Sequence, residues 1–526
     1  MFNRRASSSL LSSLLALAVV ALVGCGTEIV YRDREPFNPP PDAASGFLGY
    51  YTVSTRQTTC GNCHAEKPAK WAQTHHANAY ADLEASANKQ ASCYACHTVS
   101  SLGNATTSPT GYEAVKDSAY RDVQCESCHG PGLQHIEGVG QGNITLRPLA
   151  SIAGNGAAIC ADCHSGTHNP FAEQWAASKH AIANSRQFSG TCAGCHGSRG
   201  RLAAWGVETN YTEKNTTTNL PVASCAVCHD PHGGPNEHQL RRSVSDPDPE
   251  QNLCMSCHLR RVEPSPGSSR GNTPHGAQGA VLLGFAGWRP PGFVYDTARI
   301  FGSHATTANP KLCAGCHVNR FTVTDKATGA FVFQSAGHQF EAAPCVDAQG
   351  VPNGELECEF TAAARNWSAC TKSGCHASQA VAANVWNASR VSIKALADVL
   401  WQDLDGDETI DVFPIDGGML PRIKLNAPAD LNPSDQVVSA ADGSEFNARL
   451  CGIHLYENDD GSSGTHNKFL CEALLAQSGT YLRSIYAFLP APPASIQATM
   501  DKWAGPVANG GPGQPIIKRE AFPIKE

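Results

Sequence analysis

Cys60-Gly-Asn-Cys63-His64 is the stretch that decides how this chain folds, because its pattern returns along most of the sequence. Two cysteines separated by two residues and followed directly by a histidine occur eight times. The eight motifs are Cys60–His64, Cys93–His97, Cys125–His129, Cys160–His164, Cys192–His196, Cys225–His229, Cys254–His258 and Cys313–His317. Every C-x-x-C pair in the 526 residues carries the adjacent histidine, so the pattern is not a product of chance.

C-x-x-C-H is the spacing that attaches c-type haem. The two thiols bond the two vinyl groups of the haem, and the histidine then lies under the iron as one axial ligand. The second cysteines of the motifs are Cys63, Cys96, Cys128, Cys163, Cys195, Cys228, Cys257 and Cys316. Zinc, the alternative, takes four ligands from paired C-x-x-C turns and has no need of a histidine after each pair. We number the sites 1 to 8 in chain order.

A ninth site is predicted at Cys370-Thr-Lys-Ser-Gly-Cys375-His376, where four residues instead of two separate the cysteines. The second cysteine is followed directly by a histidine, as in the regular motifs. The longer loop can bulge away from the haem while both sulfurs still reach it. An alternative is that Cys358 serves as the distant partner of Cys375. We number this site 9.

The sixth ligands of the irons are expected from the twelve histidines outside the motifs, because methionine is scarce: apart from Met1 only three are present. Bis-His ligation suits electron transfer at low potential, whereas His/Met ligation raises the potential. The nine expected ligands are His76, His135, His168, His180, His232, His275, His304, His338 and His466. His75, His238 and His454 are the expected spares. For site 9 the sequence favours His466 first and His454 second.

The chain contains an internal repeat. Motifs 1 to 3 and motifs 4 to 6 are offset by 100, 99 and 100 residues, and both halves contain W-x-x-[ST]-x-H-A-x-A, at residues 71–79 and 175–183. The expected fold is mostly irregular loops with short α-helices wrapped around a chain of haems, with little β-structure. Apolar spacing predicts helices over 378–402 and 468–489.

These patterns divide the chain into seven predicted segments. They are a signal peptide (1–24), a tether starting at a lipidated cysteine (25–50), two three-haem units (51–150 and 151–250), three further haems (251–376), a helical segment without haem motifs (377–489) and a Pro/Gly-rich tail (490–526).

The N-terminus resembles a targeting segment. Arg4 and Arg5 precede a short apolar run from Leu10 to Val23, which is too short for a comfortable membrane span. The run ends in Leu22-Val23-Gly24-Cys25, which resembles a bacterial lipobox whose cysteine is lipidated. An ordinary signal peptide with a chance cysteine is the alternative, and either places the protein in an oxidising compartment.

Four cysteines remain once Cys25 and the nine sites are set aside: Cys345, Cys358, Cys451 and Cys471. An even number in an oxidising compartment predicts two disulfides. Cys345–Cys358 and Cys451–Cys471 are the local pairings, but three connectivities are possible and the sequence does not choose among them.

A calcium loop is predicted at Asp403, Asp405, Asp407 and Asp411, which occupy positions 1, 3, 5 and 9 of an EF-hand-like pattern. Two residues depart from that pattern, since Glu408 replaces the usual glycine and Pro414 replaces the bidentate glutamate. The alternative is a solvated acidic turn.

The motifs over residues 58–376 resemble the multihaem c-type cytochromes of bacterial respiratory chains, particularly outer-membrane lipoprotein cytochromes of metal-reducing bacteria. The resemblance implies closely packed haems that carry electrons between periplasmic carriers and an acceptor at or beyond the outer membrane. The implied partners are other cytochromes or a porin. With a net charge of −8, nucleic acid is not an expected partner.

Two other functions stay open from the sequence. One is a reductase of the nitrite, hydroxylamine or tetrathionate type with an open haem position, although no C-x-x-C-K motif is present. The other is a filament-forming cytochrome, against which the lipobox-like segment argues.

Overall fold

The structure is a computed structural model that describes residues 38–140, 142, 148, 150, 158–182, 192–207, 222–293, 304–407, 409–451 and 464–503. The predicted signal peptide, Cys25 and His454 lie outside the described residues. Residues 504–526 of the predicted tail lie outside them as well.

Short helices joined by loops make up most of the described chain. The α-helices are Glu66–Trp71, Ala79–Glu84, Tyr94–His97, Tyr112–Val115, Cys125–His129, Leu133–Gly140, Ala158–Ala161, Phe171–Ala176, Ala193–His196, Ser198–Ala204, Cys225–Cys228, Gln278–Leu283, Leu312–His317, Gln379–Leu400, Leu420–Asn426, Ala440–Leu450, Lys468–Ile485 and Ala494–Asp501. Single turns of 3₁₀-helix are Val53–Thr55, Thr59–Asn62, His75–Asn78, Ala91–Cys93, Ser118–Tyr120, Lys179–Ala181, Glu237–Gln239, Ser368–Thr371 and Pro428–Asp430.

The β-structure of the described residues consists of two small antiparallel sheets. Tyr50–Thr52 pairs with Gln57–Thr58, and Phe321–Thr324 pairs with Phe331–Ser335. This confirms the predicted fold class of loops and short helices with little β-structure.

The two halves of the repeat use the same contacts. The indole Nε1 of Trp71 donates to the carbonyl of Val123 at 2.9 Å, and that of Trp175 donates to Ala223 at 2.8 Å. The backbone N–H of Val123 in turn donates to the carbonyl of His76, and that of Ala223 to the carbonyl of His180. Each tryptophan therefore ties the helix before its histidine to the chain just ahead of the third motif.

A buried carboxylate fastens the start of the described chain to motif 3. Glu126 lies between the two cysteines of that motif and is 3% exposed. Its oxygens accept hydrogen bonds from the backbone N–H groups of Leu48, Gly49 and Gly132 at 2.8 to 2.9 Å. These donors satisfy a carboxylate that would otherwise be costly to bury.

The main apolar core lies in the helical C-terminal segment. The helices Gln379–Leu400 and Lys468–Ile485 correspond to the predicted helices, and each begins at a side-chain cap, Ser378 and Asn467 respectively. Leu400, Phe446 and Leu474 are fully buried where the helices meet. None of the helices described here combines the length and apolar content that crossing a membrane requires.

Two of the leftover cysteines are joined in the structure. Cys345 and Cys358 form a disulfide, with their Cα atoms 6.1 Å apart. Cys358 is therefore not available as the alternative partner of Cys375. Cys451 and Cys471 are both fully buried in the C-terminal core. Their disulfide stays a prediction, as do the segment boundaries drawn from the sequence.

Candidate haem sites

Each regular motif adopts a tight turn that presents its three side chains together. In site 1 the backbone N–H of His64 donates to the carbonyl of Cys60 at 2.9 Å, and the same bond closes site 6 between His229 and Cys225 at 3.0 Å. On such a turn, residues three and four apart share one face. The two sulfurs and the imidazole of a motif therefore point toward one porphyrin.

Histidines from inside and outside the motifs face each other in pairs. Among the described residues, eight pairs of imidazole rings each join one motif histidine to one of the expected sixth ligands. The pairs are His64–His135, His76–His164, His129–His232, His180–His258, His196–His275, His229–His338, His304–His376 and His317–His466.

The spacing of these rings fits an iron held between two imidazoles. The ring centres of the pairs are 5.6 to 6.5 Å apart. Two metal–nitrogen bonds of about 2 Å place the ligating nitrogens about 4 Å apart, and two half-rings account for the remainder. In the pair His196–His275 the facing Nε2 atoms are 3.4 Å apart. The residues present therefore fit bis-His haem.

Burial keeps the paired histidines in the form that binds metal. It lowers the pKa of His76, His180, His317 and His338 to about 4. It also lowers the pKa of His164, His229, His258 and His304. A neutral imidazole has a nitrogen lone pair to donate, so these side chains can ligate iron throughout the physiological pH range.

The longer motif of site 9 closes in the same way as the regular ones. The backbone N–H of His376 donates to the carbonyl of Cys370 at 2.9 Å, although two more residues lie between them. Gly374 takes φ +85° in this loop, a conformation that glycine adopts without steric cost. The His376 ring faces His304. Site 9 thus has both the turn and the opposing imidazole of a regular site.

The pairing differs from the sequence-based expectation in two places. The structure places His304, and not His466, opposite His376, while His466 lies opposite His317 of site 8. His168, an expected ligand, is exposed and belongs to none of the eight pairs. His97 of site 2 is the motif histidine that these pairs leave out.

Contacts between thiols of different motifs give the order of the sites in space. Thiols in hydrogen-bond contact link sites 1 and 3, 2 and 4, 4 and 6, 5 and 7, and 7 and 8. These contacts are Cys60–Cys125, Cys96–Cys163, Cys160–Cys225, Cys195–Cys257 and Cys254–Cys313. Electrostatic interaction between thiols further links sites 3 and 4, 6 and 7, and 8 and 9. The links between sites 1 and 3, 2 and 4, and 3 and 4 recur three sites later, between sites 4 and 6, 5 and 7, and 6 and 7. The repeat in the sequence predicts this recurrence.

The acidic loop gathers the four predicted residues and adds a fifth. Carboxylate oxygens of Asp405, Asp407 and Asp411 lie within 4.8 Å of one another, and so do those of Asp403, Asp405 and Asp416. The buried Asp416 accepts hydrogen bonds from Trp401, Leu404 and Asp411 at 3.0 Å, which holds the two ends of the loop together. The EF-hand pattern did not include this residue, because it follows the last position of the loop.

Family models match two parts of the chain. The model of cytochrome c554 and c-prime matches residues 59–130, which include sites 1 to 3. The model of the doubled CXXCH motif matches residues 219–262, which include sites 6 and 7. No solved structure shows significant similarity to the chain.

The similar proteins are cytochromes with many haems. The C-type polyheme cytochrome OmcB of Geobacter sulfurreducens is 31% identical over 198 residues, which cover 32% of this chain and 24% of OmcB. The multiheme cytochrome MtrA of Shewanella baltica is 24% identical over 163 residues, covering 27% of this chain and 44% of MtrA. The chain thus matches about a quarter of the length of OmcB. Together with the attachment motifs and the facing imidazoles, these similarities identify the chain as a multihaem c-type cytochrome.

Proposed function

We propose that this cytochrome carries electrons along nine haems, between periplasmic carriers and an acceptor at or beyond the outer membrane. The observation that supports the proposal is the continuous set of thiol interactions, by contact or by electrostatics, between attachment sites. When bound, haems supply iron that alternates between two oxidation states and passes electrons to a neighbouring haem.

The interactions between cysteines support one route with two branches. The route runs through sites 1, 3, 4, 6, 7, 8 and 9, because each of these sites is linked to the next. Site 2 joins the route at site 4, and site 5 joins it at site 7. The chain therefore arranges seven sites in series and holds two beside them.

Exposure at both ends of the route supports exchange of electrons with partners. Cys63 of site 1 and Cys375 of site 9 are exposed, and so are Cys160 of site 4 and Cys192 of site 5. The intermediate sites 3, 6, 7 and 8 have no exposed motif cysteine. Another cytochrome or a porin-bound partner can approach either terminal site closely, which favours transfer between proteins.

The lipobox-like sequence supports a lipoprotein at the outer membrane. Gly26 stands after Cys25 where an aspartate marks inner-membrane retention in well-known lipoproteins. We expect the mature protein to begin at a lipidated Cys25, and its intact mass to include lipid and nine haems. Cys25→Ser should release the protein from membranes with all its haems retained, because only the anchor is lost. A Cys25→Ser protein that stays with the membrane would contradict this anchor.

We also propose that the acidic loop binds calcium as a structural ion. Its carboxylates form two groups of three that share Asp405, each group within 4.8 Å, and carboxylate oxygens are the ligands that calcium prefers. Calorimetric titration should show one calcium site that is lost in Asp405→Ala and kept in Asp398→Ala, an acid outside the loop. Calcium should raise the unfolding temperature of the wild type, since it binds the folded loop. Equal titrations of both variants would contradict the assignment.

A further inference from the structure

The loop after motif 6 places a carboxylate against an expected axial histidine of site 3. Asp230 directly follows His229, and its Oδ1 lies 3.5 Å from Nδ1 of His232. The ring of His232 faces His129 of site 3. Because Nδ1 is the nitrogen next to the carboxylate, Nε2 is left for the iron. A residue that follows motif 6 therefore lies behind the sixth ligand of site 3.

Three contacts hold Asp230 in this place. Its Oδ1 accepts a hydrogen bond from the backbone N–H of His232 at 3.1 Å, and its backbone N–H donates to the carbonyl of Gln239 at 2.7 Å. Its Oδ2 pairs with the guanidinium of Arg241 at 3.0 Å. Arg241 is itself anchored inside motif 6, since its Nε donates to the carbonyl of Ala226 at 2.8 Å. The fold therefore fixes the position of this carboxylate relative to the imidazole.

The repeat supplies a direct comparison at site 1. Gly130 follows motif 3 at the place where Asp230 follows motif 6, so the first half has no side chain there. The corresponding sixth ligand, His135, has a buried Nδ1 without a hydrogen-bond partner among the described residues. His304 and His338 differ again, because each donates Nδ1 to a backbone carbonyl, at 2.9 and 3.1 Å. A charged carboxylate is a stronger acceptor than a carbonyl.

We propose that Asp230 is a positioning residue that orients His232 and lowers the reduction potential of the iron at site 3. A carboxylate beside Nδ1–H makes the imidazole a more basic ligand. The more basic ligand and the nearby negative charge both favour the oxidised, more positive iron. Asp230 thereby keeps site 3 oxidised at lower potentials than an uncharged side chain would. The inference rests on the proposed bis-His haem at site 3, but it is independent of the order of the sites.

Potentiometric titration of the full-length protein, followed by haem absorbance, tests the role of Asp230. Comparison of the wild type with Cys125→Ala plus Cys128→Ala identifies the component that belongs to site 3. Asp230→Asn should move this component to higher potential and leave the others in place. At a given potential we expect the ratio of reduced to oxidised iron to rise about tenfold, which is about 59 mV for a one-electron couple. The amide oxygen of the asparagine can still accept from the backbone N–H of His232, so the turn is retained.

Two controls separate the contact with His232 from other effects of the substitution. Asp230→Asn in the variant without site 3 should shift no component. Asp230→Asn also leaves Arg241 without its carboxylate, so the second control removes both charges, in Asp230→Asn with Arg241→Gln. The upward shift of site 3 should persist there, because the carboxylate beside His232 is still missing. Asp230→Ser replaces Asp230→Asn where the latter does not fold.

The outcomes distinguish the role of Asp230 from the haem at site 3. If Cys125→Ala with Cys128→Ala loses no low-spin haem, the bis-His assignment of site 3 is wrong. If that variant loses one low-spin haem but Asp230→Asn and Asp230→Ser leave its component unmoved or lower it, only the role of Asp230 is wrong. A shift that survives without site 3, or that vanishes when Arg241 is also replaced, would equally overturn the proposal.

Discussion

Removal of site 6 should split the reduction of the protein into two phases. In Cys225→Ala with Cys228→Ala, sites 1 to 4 remain linked to one another, while sites 5, 7, 8 and 9 are cut off from them. With the protein attached to an electrode by its N-terminus, and without soluble mediators, half of the haem absorbance change should stay fast. The other half should slow by orders of magnitude, because the proposed route links sites 4 and 7 through the thiols of site 6.

Removal of site 5 is the matched control for this experiment. Cys192→Ala with Cys195→Ala also leaves eight haems but deletes only a branch, so all of them should be reduced in one fast phase. Haem content and low-spin spectra of both variants show whether each has folded. A single fast phase in the site 6 variant would contradict the proposed route, and two phases in the site 5 variant would contradict its place as a branch.

Replacement of Cys370 should remove site 9. The carbonyl of Cys370 closes the turn onto His376, and its thiol is one of the two that the long motif supplies. In Cys370→Ala we expect the intact mass to fall by one haem, with the other eight unaffected. The imidazole of His304 then loses its partner iron, so the low-spin signal should also fall by one haem.

Thr371→Ala is the control for Cys370→Ala, because it changes the same loop without removing a sulfur. It should retain nine haems. Cys345→Ala is a second control that breaks the neighbouring disulfide and should also leave the haem count unchanged. A Cys370→Ala protein that carries nine haems would show that site 9 does not use this cysteine.

The features that the sequence predicted well depend on local chemistry. A C-x-x-C-H motif contains both cysteines and the proximal histidine within five consecutive residues. The eight regular sites could therefore be predicted from the sequence without a structure. The helices around Leu396 and Leu474 were equally accessible, because apolar residues at helical spacing mark a buried face. Asp416 was missed because the loop pattern ends before it, and only the folded chain brings it back toward Asp403.

By itself, the sequence determined that this protein is a multihaem cytochrome with a helical segment after its motifs, and it predicted the attachment cysteines and proximal histidines. Only the tertiary structure decided which imidazoles face each other. His129 and His232 belong to different halves of the chain, and His304 meets His376 where the sequence favoured His466. The physical reason is that a haem has two faces, and each takes one axial ligand. The motif supplies the ligand of one face from adjacent residues, whereas the ligand of the other face is a residue that the fold brings close from a distant part of the chain. The order of the sites follows from the same long-range packing.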